Sequence, residues 1–227
     1  MMKRSKVTEA RRQKAADEKR GLLKNVEKAD AITLSPLVFP QRYLISIENL
    51  TLSYGDRTIF DSLRFDLLQG DRVSVRGRNG SGKTSLLKLL SGENHDYAGQ
   101  IQLGSNLIIS TVPQDTEFLS GSLVELAESH DVDSTLYRGM LFKLGLSRLQ
   151  FEKNLSDFSG GQKKKALLAL SLCQKAHVYI WDEPLNYIDI LSRKQLEDAI
   201  LACNPTMIFV EHDRTFTQAV ATKFIDL

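Results

Sequence analysis

From Tyr43 onward the apolar and polar positions fall into short, regular runs. Leu44, Ile45, Ile47 and Leu50 open an extended segment that stops at the turn Tyr54-Gly55-Asp56. Asp71–Arg76 alternates and predicts a strand, followed by a glycine-rich loop and the helix-like run Ser85–Leu90. Ile101–Leu103 and Leu107–Val112 predict further strands. The period then changes: Ser122–Ser129, Leu136–Leu144 and the region of Arg148 have helical spacing, which predicts a helical insert at about 120–160. Beyond it, Gln162–Leu172, Ser192–Leu201 and Arg214–Ala221 predict helices, and His177–Trp181 and Thr206–Val210 predict strands. Strands alternating with helices call for an α/β fold with a mostly parallel sheet covered on both faces.

The chain before Tyr43 reads differently. Residues 1–28 lack proline, hold one glycine (Gly21), and are dominated by Ala, Lys, Arg, Glu and Gln, all good helix formers. Their apolar positions, Val7, Ala10, Ala15 and Ala16, are few and small. Such a helix bridges through solvent or packs as one arm of a hairpin; a solvated or disordered tail is the alternative. Pro36 and Pro40 predict a linker, which places the domain boundary near Arg42: arm and linker over 1–42, main domain over 43–227.

Composition fits an ordinary globular protein: 227 residues, 42% hydrophobic and 26% charged. The longest apolar runs, such as Ala166–Leu170, fall far short of the roughly 18 residues of a membrane helix. The charged N-terminus has no apolar signal core behind it, so a cytoplasmic location is expected. Cys173 and Cys203 have no CxxC spacing and read as reduced structural thiols. The overall charge of +2 conceals an asymmetry, for residues 1–30 carry ten Lys/Arg against five acids, a net +5. A basic arm ahead of a mildly acidic body hints at an anionic partner.

Candidate chemistry begins at Gly77-Arg78-Asn79-Gly80-Ser81-Gly82-Lys83-Thr84, which matches G-x-x-x-x-G-K-[ST] in full. Small glycines let backbone N–H groups converge on a phosphate at a helix N-terminus. Lys83 neutralises β- and γ-phosphates, and the Thr84 hydroxyl suits Mg²⁺. Asn79, Gly80, Ser81, Gly82, Lys83, Thr84 and Ser85 form the candidate nucleotide-binding run. Farther on, the apolar run Val178–Trp181 ends in Asp182 and Glu183. A buried strand would hold Asp182 rigidly against the loop as a metal ligand, with Glu183 placed to orient or deprotonate water.

Ser159-Gly160-Gly161-Gln162 lies 23 residues before Asp182 and opens a predicted helix. In this order and spacing the motifs resemble those of ATP-binding-cassette (ABC) ATPases, over 43–227. Phe158 stands where the family usually has Leu. The resemblance implies a cassette with a parallel core sheet, an antiparallel β subdomain and a helical insert, with ATP and Mg²⁺ as cofactors. It implies that Tyr54 stacks on adenine, that Gln114 touches Mg²⁺, and that His212 contacts the γ-phosphate. Glu183, His212 and Lys83 are then catalytic, and Thr84, Gln114 and Asp182 metal-binding. Ser159, Gly160, Gly161 and Gln162 would face the nucleotide held by a second cassette. Asn186 and Asp189 match the loop that carries contacts across the dimer. His95, His130 and His177 fit no motif and read as structural or solvent-exposed.

The string Pro184-Leu185-Asn186-Tyr187-Ile188-Asp189 resembles the ABC-F branch, soluble ATPases acting on ribosomes, and within it the antibiotic-resistance ribosome-protection type. On that resemblance residues 1–30 would be the second arm of an inter-cassette hairpin touching rRNA or tRNA. The partner would be a second ABC cassette, in the same longer polypeptide or as a homodimer. The chain would be a C-terminal half, with turnover weak as a monomer. Two other classes compete: the motor subunit of an ABC transporter, and a DNA-repair or chromosome ATPase.

Overall fold

The computed structural model describes residues 32–93 and 96–227. The basic arm and His95 lie outside the described residues. Two long strands, β1 (Tyr43–Tyr54) and β2 (Arg57–Leu68), form a hairpin, and β1 also pairs with β4 (Tyr97–Leu103) in an antiparallel sheet of order β2-β1-β4. The second sheet is wholly parallel. It contains β3 (Arg72–Arg76), β5 (Ile109–Val112), β6 (Val178–Asp182), β7 (Met207–Val210) and β8 (Lys223–Asp226), in the order β5-β6-β7-β3-β8. Helix α1 (Lys83–Leu90) follows β3. Helices α2 (Leu123–Glu128) and α3 (Ser134–Lys143) make up most of the insert. Helices α4 (Gly160–Cys173), α5 (Ile190–Cys203) and α6 (Arg214–Val220) complete the structure.

The predicted α/β class holds, but two strands, β2 and the short β8, were not expected from the pattern. In β2 the reason is visible. The alternation of β2 breaks at Ser62, which has φ +54°, and β1 breaks likewise at Asn49, φ +50°. The apolar phase of β1 accordingly slips by one residue: Ile45 and Ile47 are buried before the bulge, Leu50 and Leu52 after it. An extra residue in a strand turns the next side chains back to the same face. That slip keeps one continuous apolar face on the hairpin.

Two cores result, one on each side of the parallel sheet. Val178 and Ile180 of β6, with Ile208 and Val210 of β7, face the antiparallel sheet and α1. Tyr179 and Trp181, with Met207 and Phe209, face α4 and the helical insert. Period-two alternation across two covered faces is why these strands read as unbroken apolar runs. Ser171 pairs two buried polar groups on the helical side: Trp181 Nε1 donates to Ser171 Oγ at 2.8 Å, and Ser110 Oγ lies 2.6 Å from Ser171 Oγ. Cys173 is a free, half-buried thiol, and burial pushes its pKa up to about 12, so it is a poor nucleophile.

Residues Ile32–Leu227 cluster as one compact unit, so the expected linker segment from Ile32 to Arg42 packs with the main body. Ile32 and Leu34 are buried in the helical-side core and Phe39 in the other. Leu37 N donates to Ala176 O at 2.8 Å, and Phe39 N to Gln69 Oε1 at 3.0 Å. Pro36 and Pro40 therefore mark an extended strap lying on the domain, since proline excludes helix without excluding burial of its neighbours. His177 serves the strap too: Ile108 N donates to its Nδ1 at 3.0 Å, and its ring meets Phe39 edge-on. His130 is exposed, with Nδ1 near Leu126 O.

Ser171→Ala would leave the buried indole N–H of Trp181 without its acceptor. The expected loss is about 1–3 kcal/mol of unfolding free energy, read by urea denaturation.

Candidate functional site

The parallel sheet places its functional groups at the carboxyl ends of β3, β6 and β7, where ligands bind in open α/β sheets. Strand β7 lies between the other two. Asp182 pairs with Val210 across it, and Glu183 N continues the ladder to Val210 O at 2.9 Å. The loop after β3, the two acids after β6 and the histidine after β7 are thus held at one level.

The glycine loop turns sharply into α1. Gly82 is the N-cap at φ +94°, and no side chain caps the helix. The first amides of α1 therefore face the cleft unclaimed by a side-chain cap, with the positive end of the helix dipole behind them. A side chain cannot replace this glycine, because a Cβ would come 2.3 Å from Ile59 Cγ2. Lys83 Nζ reaches back across the loop and donates to the carbonyls of Gly77 at 3.0 Å and Arg78 at 3.1 Å.

A cleft of about 450 Å³ brings together Tyr54, Asn79, Gly80, Gly82, Lys83, Thr84, Ser85, Gln114, Glu183 and His212. All ten were singled out from the sequence. Tyr54 OH donates to Ser85 Oγ at 3.3 Å, and Thr84 Oγ1 to Gln114 Oε1 at 3.3 Å. His212 Nε2 lies 3.2 Å from Glu183 Oε1. Ser81 is not in that lining; its hydroxyl is buried, with no hydrogen-bond partner among the described residues. Asp182 lines an adjoining hollow of about 330 Å³ with Thr84 and Gln114. Its carboxylate is 3% exposed, and neither oxygen makes a hydrogen bond of good geometry among the described residues. Burial raises its pKa, opposed by the Thr84 hydroxyl and by the charges of Lys164 and Lys83. A hydroxyl, an amide oxygen and a desolvated carboxylate form an all-oxygen donor set, which fits Mg²⁺.

The signature residues stand apart from this cleft. Ser159 and Gln162 cap α4 reciprocally: Gln162 N donates to Ser159 Oγ at 3.3 Å and Ser159 N to Gln162 Oε1 at 3.0 Å. With Gly160 they open α4 beside a separate hollow of about 260 Å³, lined by Ser159, Gly161, Gln162, Lys165 and Tyr187. Gly161 is required there because the Tyr187 ring sits on it: a Cβ would lie 2.8 Å from Tyr187 Cγ. Phe158, the departure from Leu, is buried in the helical-side core, which an aromatic ring fills as well. Asp189 caps α5, accepting from Ser192 N at 3.0 Å, and this hydrogen bond holds its pKa below the ordinary value.

Several residues escaped the sequence reading. Arg57 lines the cleft because the hairpin folds it back beside Tyr54. Lys164 is 3% exposed, and its ammonium donates to the carbonyls of Pro113 and Asp182, which ties α4 to both halves of the site. Burial lowers its pKa to about 8. The signal was present in the sequence, for Lys164, Leu167, Leu168 and Ser171 repeat at i, i+3, i+4, i+7 and are all buried. Glu211 accepts from Leu185 N at 3.1 Å and His212 N at 2.7 Å, joining the loop after β6 to the loop after β7.

A parallel sheet with a glycine loop, a terminal acid pair and an uncapped helix N-terminus defines a phosphate-loop nucleotide-binding domain. Residues 60–186 match the family model described as ABC transporter, and the chain belongs to that family of ATP-binding cassettes. ATP binding follows from that membership. The chain is 30% identical over 194 residues to the energy-dependent translational throttle protein EttA of Haemophilus influenzae, covering 81% of this chain and 34% of that protein. It is 33% identical over 193 residues to the ATP-binding protein Uup of Caulobacter vibrioides, covering 81% and 32%. The chain thus spans about a third of the length of these relatives, and its cassette resembles the ABC-F branch. The fold is shared with a bacterial Atm1-family ABC exporter with ATP bound, at TM-score 0.71 and 19% identity, covering 85% of this chain and 38% of that one. No helix among the described residues is long and apolar enough to cross a membrane.

Gly82→Ala would force an alanine to φ +94° and against Ile59. Backbone strain of this kind costs about 1–3 kcal/mol, so affinity for a fluorescent ATP analogue is expected to fall by about tenfold or more. Unchanged affinity would mean that the loop does not cradle the phosphates.

Proposed function

We propose that this chain hydrolyses ATP at a site completed by a second cassette, and that it acts on the ribosome in the manner of ABC-F proteins. The observation that carries the catalytic part is the Glu183–His212 pair, 3.2 Å apart, in the cleft that Lys83 and Thr84 line. The triphosphate would lie along Asn79–Ser85, with Tyr54 beside the adenine. Lys83 would exchange its two carbonyl partners for β- and γ-phosphate oxygens. Thr84, Gln114 and Asp182 would hold Mg²⁺, which draws negative charge from those oxygens when bound.

Glu183 accepts a proton from the water that attacks the γ-phosphorus. The new P–O bond forms as the bond to the β–γ bridging oxygen breaks, leaving ADP and phosphate. His212 contacts the γ-phosphate and, with Lys83, stabilises the charge that develops. Ser159, Gly160, Gly161 and Gln162 of one cassette face the nucleotide of the other, which explains why they lie outside their own cleft. ATP therefore favours the closed pair, and loss of the γ-phosphate releases it.

The ribosomal part rests on Asn186 in the loop after β6, on the net +5 of residues 1–30, and on likeness to a relative named for translational throttling. Residues 1–30 would bind rRNA or tRNA through phosphate neutralisation. The Leu185-Asn186-Tyr187-Ile188 string extends the proposal to ribosome protection against antibiotics, in the cytoplasm.

Glu183→Gln should keep ATP binding and lower the single-turnover hydrolysis rate by about 100-fold or more, in line with loss of a general base. Hydrolysis at the parent rate would remove Glu183 from that role. The chain should cosediment with ribosomes, and between about 50 and 200 mM salt the binding should weaken steeply. Deleting residues 1–30 should abolish it. Copurification with membranes in place of ribosomes would favour a transporter motor and overturn the ribosomal reading.

A further inference from the structure

We propose that Asn186 is a positioning residue for Glu183, holding its carboxylate in one orientation from the side opposite His212. The inference rests on the reading of Glu183 as the group that takes the proton from water. Resemblance alone placed Asn186 among contacts to a second cassette. In the structure its side chain, on an exposed residue, turns back onto Glu183. Asn186 Nδ2 donates to Glu183 Oε2 at 2.7 Å, while His212 Nε2 lies 3.2 Å from Oε1. The two oxygens of one carboxylate are thus held by two different loops.

The backbone builds this contact before any ligand is considered. Glu183 adopts φ +50°, a left-handed conformation that a glutamate takes only under constraint. Its N–H is bound to Val210 O, and Pro184 fixes the next φ. The chain then reverses, with Asn186 N donating to Glu183 O at 3.4 Å and Ile188 N to Leu185 O at 3.1 Å. The first of these turns delivers the Asn186 side chain onto Glu183.

A second set of contacts keeps the turn in place. Arg193 donates to Ile188 O at 2.9 Å and Leu185 O at 3.2 Å, and pairs with Asp213 at 3.5 Å. Glu211 accepts from Leu185 N on one side and from His212 N on the other. The loops carrying Asn186 and His212 are therefore braced to each other, and Glu183 is held between them. A carboxylate can only accept, so its neighbour must donate. An amide does so without adding charge, whereas serine at this position would be too short to span the same distance. Holding the base in advance removes a reorganisation step from the chemical event and leaves ground-state binding of ATP untouched.

Asn186→Asp tests this, because it preserves shape while replacing the donor with a second carboxylate. Asn186→Ala removes both. Both variants are expected to lower kcat by about tenfold or more, with KM and the affinity for a fluorescent ATP analogue within about twofold of the parent. Parent-like kcat in Asn186→Asp, or equal losses in kcat and ATP affinity, would overturn the positioning role. A readout independent of turnover is the Asn186 side-chain amide resonance in the full chain, assigned by its loss in Asn186→Ser. That resonance should shift in Glu183→Ala; if it does not move, the contact and the proposal are both wrong. The two readings separate cleanly. Parent-rate hydrolysis by Glu183→Gln defeats the role of Glu183 and this inference with it, whereas a slow Glu183→Gln beside a fast Asn186→Asp defeats this inference alone.

Discussion

Everything in the site depends on the parallel pairing of β7 with β3 on one side and β6 on the other. Those backbone hydrogen bonds set Val73 opposite Ile208 and Asp182 opposite Val210. They carry no chemistry themselves. They fix the level at which a glycine loop, two carboxylates and an imidazole leave the sheet. Parallel strands buried on both faces are well suited to this, because slipping the register by one residue would exchange the two cores. Tyr179 and Trp181 would then turn toward the antiparallel sheet, and Val178 and Ile180 toward the helices.

Around that frame the polar groups divide according to their access to water. Asp182 is sealed in, its carboxylate destabilised by burial, with oxygen donors and two lysines as its surroundings. Glu183, one residue later, is partly open and held by side chains from two loops. Adjacent acids thus have distinct environments, one suited to a hard cation and the other to a mobile proton. The left-handed backbone at Glu183 makes the difference, since an extended residue there would carry the side chain onward along the strand direction.

The helical insert shares a core with the sheet. Tyr137, Met140, Leu141 and Leu144 of the insert are buried in the same cluster as Trp181 and Phe209. Lys164 adds a polar tie, joining α4 to the carbonyls beside Gln114 and at the end of β6. Tyr187 makes a neighbouring contact at the same, N-terminal end of α4, where its ring lies on Gly161.

The sequence by itself announced the helices, most of the strands and most of the residues that line the cleft. The glycine loop and the acid pair were legible because each sits at a turn or strand end whose chemistry is local, whereas Tyr54, Gln114 and His212 were reached through resemblance to the family. The α/β alternation was legible because the buried strands are continuous apolar runs. What tertiary structure alone decided lies where contacts join distant segments. The slipped phase at Asn49 and Ser62 hid β2, and the strap from Ile32 to Pro40 found a surface that no local pattern announces. Lys164 kept its charge inside because two carbonyls from other elements receive it. Asn186 turned toward Glu183 because Arg193 and Glu211 brace its loop from α5 and from the end of β7. Periodicity reports which face a residue presents, but the partner that meets that face is set by chain segments many residues away.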